Sequence, residues 1–252
     1  MAKILAITNQ KGGVGKTTTT VNLAASLAAT KRRVLLIDLD PQGNATMGCG
    51  VDKMALTQTV YHVLLEEKSL AEVRVANTCG KFDLIPSNRE LAGAEVELVQ
   101  ELAREWRLKK ALSDVEHEYD FILIDCPPAL NLLTVNALCA AHAVMIPMQC
   151  EYYALEGLSD LVQTIKKVRV ALNPGLEIEG LLRTMFDPRN TLAQQVSEQL
   201  KRHFGDKVYR TVIPRNVRLA EAPSYGTPVL YHDKTSKGAQ AYLALAGELV
   251  RK

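Results

Sequence analysis

Short apolar runs recur along the chain and are separated by longer stretches in which apolar residues have helical spacing. Most of the short runs are continuously apolar rather than alternating, which is typical of strands buried on both faces of a parallel sheet. Strands are predicted at residues 4–8, 34–38, 82–85, 121–125, 143–147 and 179–185. Their alternation with helical stretches predicts an α/β fold with a doubly wound, mostly parallel sheet flanked by helices.

Helices are predicted at residues 16–29, 92–102, 107–116, 132–140, 154–172, 192–204 and 236–251. The sequence contains no internal repeat, no low-complexity tract and no linker rich in proline and glycine. We therefore expect residues 1–252 to form a single domain. Because ligands bind beyond the carboxyl ends of the strands in such sheets, functional residues are expected in the segments that directly follow strands.

The composition is that of a globular protein, since 47% of the 252 residues are hydrophobic and 23% are charged. No apolar run is long enough to span a membrane, and the N-terminus enters a strand-like run without the layout of a signal peptide. These features predict a cytoplasmic location. The five cysteines include no C-x-x-C pair, which favours reduced thiols over a disulfide or zinc framework.

Charge is unevenly distributed, although the net charge is only +2. Residues 201–252 contain ten Lys or Arg residues and four Asp or Glu residues, whereas acidic residues predominate in residues 1–200. A basic C-terminal fifth is compatible with a surface that binds polyanions, and equally with ordinary solvated charge. Charge asymmetry alone does not decide between the two.

The clearest motif directly follows the first predicted strand and precedes the first predicted helix. Its glycines, Gly12, Gly13 and Gly15, allow successive backbone N–H groups to point at phosphate oxygens, and the helix adds its positive N-terminal end. Lys16 is predicted to reach the β- and γ-phosphates, and the Thr17 hydroxyl to bind Mg²⁺. The motif therefore predicts that ATP or ADP with Mg²⁺ binds residues 12–18, namely Gly12, Gly13, Val14, Gly15, Lys16, Thr17 and Thr18.

Two further predicted strands end in carboxylates. Asp38 and Asp40 are two residues apart, so that both side chains can point into one crevice, although the sequence around Pro41 also favours a simple turn. Asp125 ends a continuously apolar strand, which is the Walker B arrangement, and is predicted to bind Mg²⁺ directly or through water.

The phosphate loop departs from the standard pattern because Gln10 occupies the first glycine position and Lys11 follows it. The string from Lys11 to Thr17 is the deviant Walker motif, and on this basis the chain resembles the ParA/MinD group of ATPases. The resemblance implies that Lys11 acts on the nucleotide of a second subunit in a sandwich dimer. It also implies that Asp40 positions or deprotonates the attacking water and that Asp38 supports the Mg²⁺ region.

Three later segments, residues 149–157, 184–189 and 213–224, resemble Soj-type ParA proteins in particular. From the first segment, the resemblance implies that Glu151 contacts ribose across the dimer. The other two imply an adenine pocket formed by Met185, Pro214 and Asn216, and non-specific DNA contacts made by Arg189 and Arg218.

Taken together, these resemblances imply an ATP-bound homodimer that binds non-specific double-stranded DNA of the nucleoid and is released on hydrolysis stimulated by a ParB-type partner. Whether the cargo is a chromosome or a plasmid stays open. The alternative of a MinD-like, membrane-associated positioning ATPase requires a basic amphipathic tail. Residues 239–249 are instead alanine-rich and predict a packed terminal helix, hence no membrane partner. An iron–sulfur carrier would need clustered cysteines, which the sequence lacks. A P-loop kinase would need an acceptor pocket and a lid, and the sequence identifies neither.

Overall fold

The computed structural model describes residues 2–251, in which seven parallel strands form one sheet in the order β3-β2-β4-β1-β5-β6-β7. The strands are β1 Lys3–Ile7, β2 Val34–Asp38, β3 Asp83–Ile85, β4 Phe121–Asp125, β5 Ala143–Gln149, β6 Glu177–Phe186 and β7 Val208–Pro214. The predicted α/β fold with a parallel, doubly wound sheet is confirmed.

The α-helices of this part of the chain are α1 Lys16–Ala29, α2 Asn44–Gly48, α3 Val60–Leu64, α4 Leu70–Val73, α5 Leu91–Glu97, α6 Arg107–Leu112, α7 Leu132–Ala140, α8 Ala154–Ala171, α9 Thr191–Phe204, α10 Val217–Glu221, α11 Val229–His232 and α12 Lys237–Arg251. Within residues 2–251, no helix is both long and apolar enough to cross a membrane.

The central strands are apolar throughout because each of their faces is covered by helices. In β1, Ile4 and Ala6 join one core with the inner faces of α3 and α5–α9, whereas Leu5 and Ile7 join the opposite core with α1, α2 and α12. Burying each of the leucine and isoleucine side chains contributes roughly 1.5–3 kcal/mol. The two cores hold the carboxyl ends of the strands at one edge of the sheet.

Strand register brings distant parts of the sequence together at this edge. Asp125 at the end of β4 is the register partner of Ile7 in β1 on one side and of Asp38 in β2 on the other. The backbone N–H of Leu39 donates to the Asp125 carbonyl at 3.0 Å, so that pairing continues past the strand ends. The phosphate loop and both acidic segments consequently meet in one crevice.

The last strand, β7, was not predicted from the sequence. It is an edge strand in which Val208, Tyr209 and Ile213 are buried and Arg210 is exposed. Because the strand prediction relied on continuously apolar runs, it missed this segment, whose apolar run is interrupted by Arg210 and Thr211. Helix α5 is also shorter than predicted, because Leu98–Gln100 form a tighter 3₁₀ turn and the backbone is extended at Glu101.

The C-terminal helix α12 packs against the core, as its alanine-rich sequence predicts. Ala239, Leu245 and Ala246 are fully buried, and the Tyr242 hydroxyl lies 3.1 Å from the Thr19 hydroxyl of α1. This packing ties the end of the described chain to the helix that follows the phosphate loop.

Candidate functional site

The phosphate loop spans the end of β1 and the start of α1. Gly13 and Gly15 have φ values of 73° and 88°, a left-handed conformation that favours glycine, and Gly15 is the N-cap of α1. A β-carbon added at Gly12 or Gly13 would meet nothing within 4 Å. The loop therefore forms an open concave cradle at a helix N-terminus, a geometry suited to phosphate.

Side chains from neighbouring strands hold this loop in shape. Asn9 donates to the Pro147 carbonyl at 2.8 Å and accepts from the Lys11 N–H at 3.0 Å. The Thr184 hydroxyl donates to the Val14 carbonyl at 2.7 Å, and the Gln149 amide donates to the Gly13 carbonyl at 3.2 Å. These supports were not predicted from the sequence, although Gln149 and Thr184 stand at or near the carboxyl ends of β5 and β6.

Lys16 lies within the cradle and is almost fully buried. Its ammonium donates to the Lys11 carbonyl at 3.2 Å, across the loop. Burial lowers the pKa of Lys16, while the nearby carboxylates of Asp125 and Asp40 oppose the shift. A phosphate anion in the cradle would replace the water that the ammonium has lost.

Asp125 is fully buried and is held by two hydroxyls of α1. Thr17 donates to one carboxylate oxygen at 2.8 Å, and Thr20 donates to the other at 2.9 Å. Burial raises the pKa of Asp125, and the neighbouring Asp38 carboxylate raises it further. The predicted metal residues Thr17 and Asp125 are therefore in direct contact. Thr20, one helical turn after Lys16, is an additional member of the site.

Asp38 is also fully buried, and its carboxylate accepts hydrogen bonds from its own segment. The backbone N–H and the hydroxyl of Thr46 donate at 2.8 and 2.7 Å, and the Asp40 N–H donates at 3.2 Å. Burial raises the pKa of Asp38 in spite of these bonds. Asp38 thus fixes the course of residues 38–46 beside Asp125.

Asp40 lies at the mouth of the same crevice, where its charge acts on both Lys16 and Asp125. One carboxylate oxygen accepts from the Gln42 N–H at 2.9 Å, and the Ser87 hydroxyl donates to the Asp40 carbonyl at 2.9 Å. Asp40 therefore stabilises the turn predicted around Pro41 and, at the same time, lies close enough to Lys16 and Asp125 to act on their charges. Neither Thr46 nor Ser87 was predicted from the sequence.

The donor set fits a phosphate chain with Mg²⁺. Hydroxyl and carboxylate oxygens are the ligands that Mg²⁺ prefers, and Mg²⁺ is usually held by one or two carboxylates plus substrate phosphates. Asp38 and Asp125 bring two buried carboxylates together at adjacent strand ends, and a divalent cation would offset the cost of burying them.

Lys11 and Glu151 form an ion pair at the rim of the cradle. The ammonium and carboxylate are 2.5 Å apart, and the two side chains are 47% and 50% exposed. Both residues were predicted to make contacts across a dimer, whereas their pairing within one chain was not foreseen. The rim position leaves both accessible from outside the subunit.

The three residues predicted to contact adenine, Met185, Pro214 and Asn216, line one cavity of about 340 Å³. Thr18 of the phosphate loop lines the same cavity. Met185 adopts a left-handed backbone conformation at φ 48°, and its sulfur accepts from the Gln149 amide at 3.0 Å. The buried Asn216 side-chain oxygen has no hydrogen-bond partner within residues 2–251. This oxygen packs against Gly238 of α12 and is not open to the cavity.

Arg189 and Arg218 lie just beyond the carboxyl ends of the adjacent strands β6 and β7. Arg189 pairs with Asp187 through two contacts of 3.0 and 2.8 Å, and Arg218 pairs with Glu221 at 2.8 Å. Both arginines are on the surface. Their placement on one edge agrees with a shared binding face, but each guanidinium already has a carboxylate partner.

Comparison with known proteins yields one consistent group. The family described as AAA domain matches residues 2–178. The sporulation initiation inhibitor protein Soj of Bacillus subtilis is 57% identical over 99% of this chain and 98% of its own length. The chromosome partitioning protein ParA of Myxococcus xanthus is 51% identical over 100% of this chain and 89% of its own length.

Solved structures agree with this grouping. A Mycobacterium smegmatis protein described as cobyrinic acid a,c-diamide synthase, with a bound ATP analogue and magnesium, is 39% identical with a TM-score of 0.88, covering 100% of this chain and 95% of its own. The septum site-determining protein MinD of Pyrococcus horikoshii, complexed with Mg-ADP, is 27% identical with a TM-score of 0.79, covering 99% and 96%. The chain belongs to the ParA/Soj family of P-loop NTPases.

Proposed function

We propose that this chain is a Mg²⁺-dependent ATPase that partitions a chromosome or plasmid, and that ATP switches it from a monomer to a DNA-binding dimer. The observation that carries the proposal is the meeting, in one crevice, of the phosphate cradle, Lys16 and the Thr17–Asp125 pair, with Lys11 on its open rim. The match to Soj and ParA over almost the whole chain supports the same conclusion.

In this proposal the backbone N–H groups of residues 12–18 bind the phosphate chain, and Lys16 neutralises the β- and γ-phosphates. Thr17 and Asp125 would hold Mg²⁺, and the ion would supply positive charge to offset the charge that develops on the phosphates during hydrolysis. Asp38 keeps the neighbouring loop in place through Thr46. Met185, Pro214 and Asn216 enclose the adenine.

Asp40 is proposed to orient the attacking water and to accept its proton. Asp40 is the least buried of the three carboxylates in the crevice. One of its oxygens accepts a hydrogen bond from the backbone N–H of Gln42 and from no other group of the described residues. Asp38 and Asp125 have both of their oxygens engaged by hydroxyls or N–H groups of the chain. This contrast supports a catalytic role for Asp40 rather than for its neighbours.

Lys11 is proposed to act in trans. To do so, Lys11 must separate from Glu151. The separation costs little free energy, because both side chains are half exposed and exposed ion pairs contribute about 0–1 kcal/mol to stability. Each residue is then available to the partner subunit, with Lys11 for its phosphates and Glu151 for its ribose. A cation supplied by a second subunit makes fast hydrolysis depend on dimerisation.

DNA binding is proposed to use Arg189 and Arg218 through phosphate contacts without sequence readout. Both must exchange a carboxylate partner for a DNA phosphate, so one monomer binds weakly. In a rigid dimer, once the arginines of one subunit have bound DNA, those of the other subunit meet further phosphates at high effective concentration. Hydrolysis, stimulated by a ParB-type protein, then returns the chain to the monomer. We propose that the chain acts in the cytoplasm, on the nucleoid.

A MinD-like membrane ATPase is the second candidate, favoured by the MinD fold match at 27% identity. The higher identity to Soj favours the partitioning role, and Leu245, Ala246 and Leu249 are buried in the core, so these residues of α12 are not available to bind a membrane. Binding to plain DNA and to anionic liposomes, each with ATP and with ADP, separates the two candidates. We expect ATP-dependent binding to DNA only, whereas ATP-dependent liposome binding would favour the alternative.

Asp40→Ala tests the water-activating role. We expect ATP binding to persist while turnover falls by at least about a hundredfold, the usual contribution of a general base, so that an ATP-bound dimer accumulates. Calorimetry and a phosphate-release assay measure the two effects. Lys16→Ala is the contrasting control and should lose nucleotide binding itself. Normal turnover by Asp40→Ala would refute the role.

Lys11→Ala tests action in trans. Because Lys11 serves the partner's nucleotide, ADP binding to the monomer should be unchanged, whereas ATP-dependent dimerisation is abolished and turnover falls by about a thousandfold, as for a missing arginine finger. Light scattering with ATP reports the dimer. Lys166→Ala, on the exposed side of α8, is the matched control. A Lys11→Ala variant that dimerises and hydrolyses normally would show that Lys11 is only a surface residue.

The Arg189→Glu/Arg218→Glu double variant tests the DNA face. We expect weaker binding to every DNA sequence alike, with intact ATP binding and dimerisation. The dependence on salt should become shallower by about 0.9 in the log–log slope for each DNA phosphate that the variant no longer neutralises. Fluorescence anisotropy at several salt concentrations measures this slope. Arg169→Glu, in the last turn of α8, is the control. Sequence-selective weakening, or undiminished binding, would contradict the assignment.

A further inference from the structure

A second cavity, of about 1060 Å³, lies at the edge of the sheet. Its walls are formed by the edge strand β7, by Arg183 of the neighbouring strand β6, and by residues from the C-terminal parts of α9 and α12. It shares no lining residue with the cavity that Met185, Pro214 and Asn216 line. We call it the edge cavity.

Arg183 lines the edge cavity and is only 4% exposed. Its guanidinium donates to the Ser197 hydroxyl at 2.9 Å and to the carbonyls of Tyr209 and Arg210 at 2.7 and 3.1 Å. All three acceptors are neutral. Among residues 2–251, the buried Nε–H has no acceptor, and none of the ion pairs within 4.0 Å involves Arg183. A buried charge of this kind is costly unless it is paired.

A bulge between β6 and β7 accounts for only part of this arrangement. Leu181 pairs with Val208, whereas Arg183 pairs with Val212, so that β7 carries two extra residues whose backbone the guanidinium contacts. This structural role leaves the Nε–H without an acceptor and the charge without a partner. Burial lowers the pKa of Arg183, and the charges of nearby groups, Glu248 among them, offset only part of that shift.

Most of the charged side chains that line the edge cavity are basic. They are Arg183, Lys201, Arg210 and Arg251, against Asp206 and Glu248. The Glu248 carboxylate is already engaged, because it accepts from the N–H groups of Arg210 and Thr211 at 2.7 and 2.9 Å. Across the part of the chain that the structure describes, neither Arg210 nor Arg251 takes part in an ion pair within 4.0 Å.

The acidic residues around the lining do not compensate this charge. Glu198 pairs with Lys201, and Glu179 pairs with Lys3, each at 2.8–2.9 Å. The segment that includes the end of α9 and the start of β7, residues 198–212, contains four Lys or Arg residues and two Asp or Glu residues. The edge cavity therefore combines a buried, unpaired guanidinium with further positive charge at its walls.

The edge cavity also has an apolar wall. Val208 and Val212 of β7 and Leu243 and Ala244 of α12 line it. An apolar concave surface with a few convergent polar groups is typical of a site for a small molecule. This combination of walls fits an anion that is attached to an apolar or aromatic body.

We propose that the edge cavity is a second ligand site of this chain, and that it binds a small organic phosphate. Arg183, together with Arg210 and Arg251, binds the phosphate, while Leu243 and Val212 contact the apolar part of the ligand. A guanidinium suits phosphate oxygens, and its hydrogen bonds to an anion are stronger than those to neutral acceptors. The site is separate from the phosphate loop of residues 12–18 and does not depend on the proposed function.

The burial of Arg183 favours a small ligand over nucleic acid. The phosphates of a duplex are bound by side chains on the protein surface, whereas Arg183 lies in the wall of a cavity and is almost fully covered. The arginines of the proposed DNA face, Arg189 and Arg218, are exposed and do not line the edge cavity.

Isothermal titration calorimetry with phenyl phosphate tests the site in the full chain, with the phosphate loop filled by ADP and Mg²⁺. We expect a single site in the wild type. Arg183→Gln should weaken binding at least tenfold, because it removes a charged hydrogen-bond donor to the anion. The Arg210→Gln/Arg251→Gln double variant should also weaken binding, and it leaves the buried Arg183 in place should Arg183→Gln fail to fold. The matched control is Arg169→Gln/Arg202→Gln, which removes two exposed charges that do not line the cavity.

No binding of phenyl phosphate to the wild type at millimolar concentration would overturn the site, as would equal affinity of the wild type and a folded Arg183→Gln. Equal weakening in the control double variant would show that the net charge of the chain attracts the anion, and would also overturn it. Failure of ADP to bind in a separate titration would count against the proposed function and not against the edge cavity.

Three competitors identify the ligand class. Benzoate, which lacks the phosphate, and inorganic phosphate, which lacks the ring, should each bind more weakly than phenyl phosphate. Benzoate that binds as tightly would contradict the preference for phosphate, and inorganic phosphate that binds as tightly would contradict the role of the apolar wall. A short DNA duplex should not displace phenyl phosphate, and displacement would assign the cavity to DNA and overturn the proposal.

Discussion

Two carboxylates that are buried side by side at the ends of adjacent parallel strands set the chemistry of this protein. Asp38 and Asp125 are register partners, both fully excluded from water, and burial raises the pKa of each. Burying an ion costs several kcal/mol unless it is well compensated. The chain compensates only in part, with hydroxyls, N–H groups and the nearby ammonium of Lys16. The remaining deficit is one that a divalent cation fills.

The rest of the site follows from where the sheet places this pair. The central position of β1, between β4 and β5, puts the phosphate loop directly beside Asp125. Strands β5 and β6 then supply Gln149 and Thr184, which fix the carbonyls of Gly13 and Val14 and so keep the N–H groups turned inward. Rim residues carry a different role. Lys11 and Glu151 pair with each other but stay half exposed, which leaves both accessible for the proposed contact with a second subunit.

The sequence predicted those parts of the site whose signal is local. A strand, a glycine-rich loop, Lys16 and a helix follow one another directly, and Asp125 ends an unbroken apolar run. The supporting residues were beyond such reasoning, because Asn9, Thr46 and Ser87 are ordinary polar residues whose role depends on partners distant in sequence. The edge strand β7 was missed because the polar residues Arg210 and Thr211 interrupt its apolar run. Pairing of Lys11 with Glu151, 140 residues apart, likewise needed the fold.

The central claim is that the buried carboxylates lower the stability of the nucleotide-free chain, and that Mg²⁺ bound with nucleotide compensates their charge. The most direct test is the melting temperature of the wild type and of Asp125→Asn at pH 8, without nucleotide, with ADP and EDTA, and with ADP and Mg²⁺. Asparagine keeps contacts to Thr17 and Thr20 but removes the charge, so Asp125→Asn without nucleotide should melt at or above the wild type. A gain of about 1 kcal/mol corresponds to roughly 2–4 °C in a chain of this size. The wild type should gain several degrees from Mg²⁺, and the variant should not, with Asp114→Asn as the exposed control. A variant that is less stable alone, yet gains as much from Mg²⁺ as the wild type does, would contradict the account.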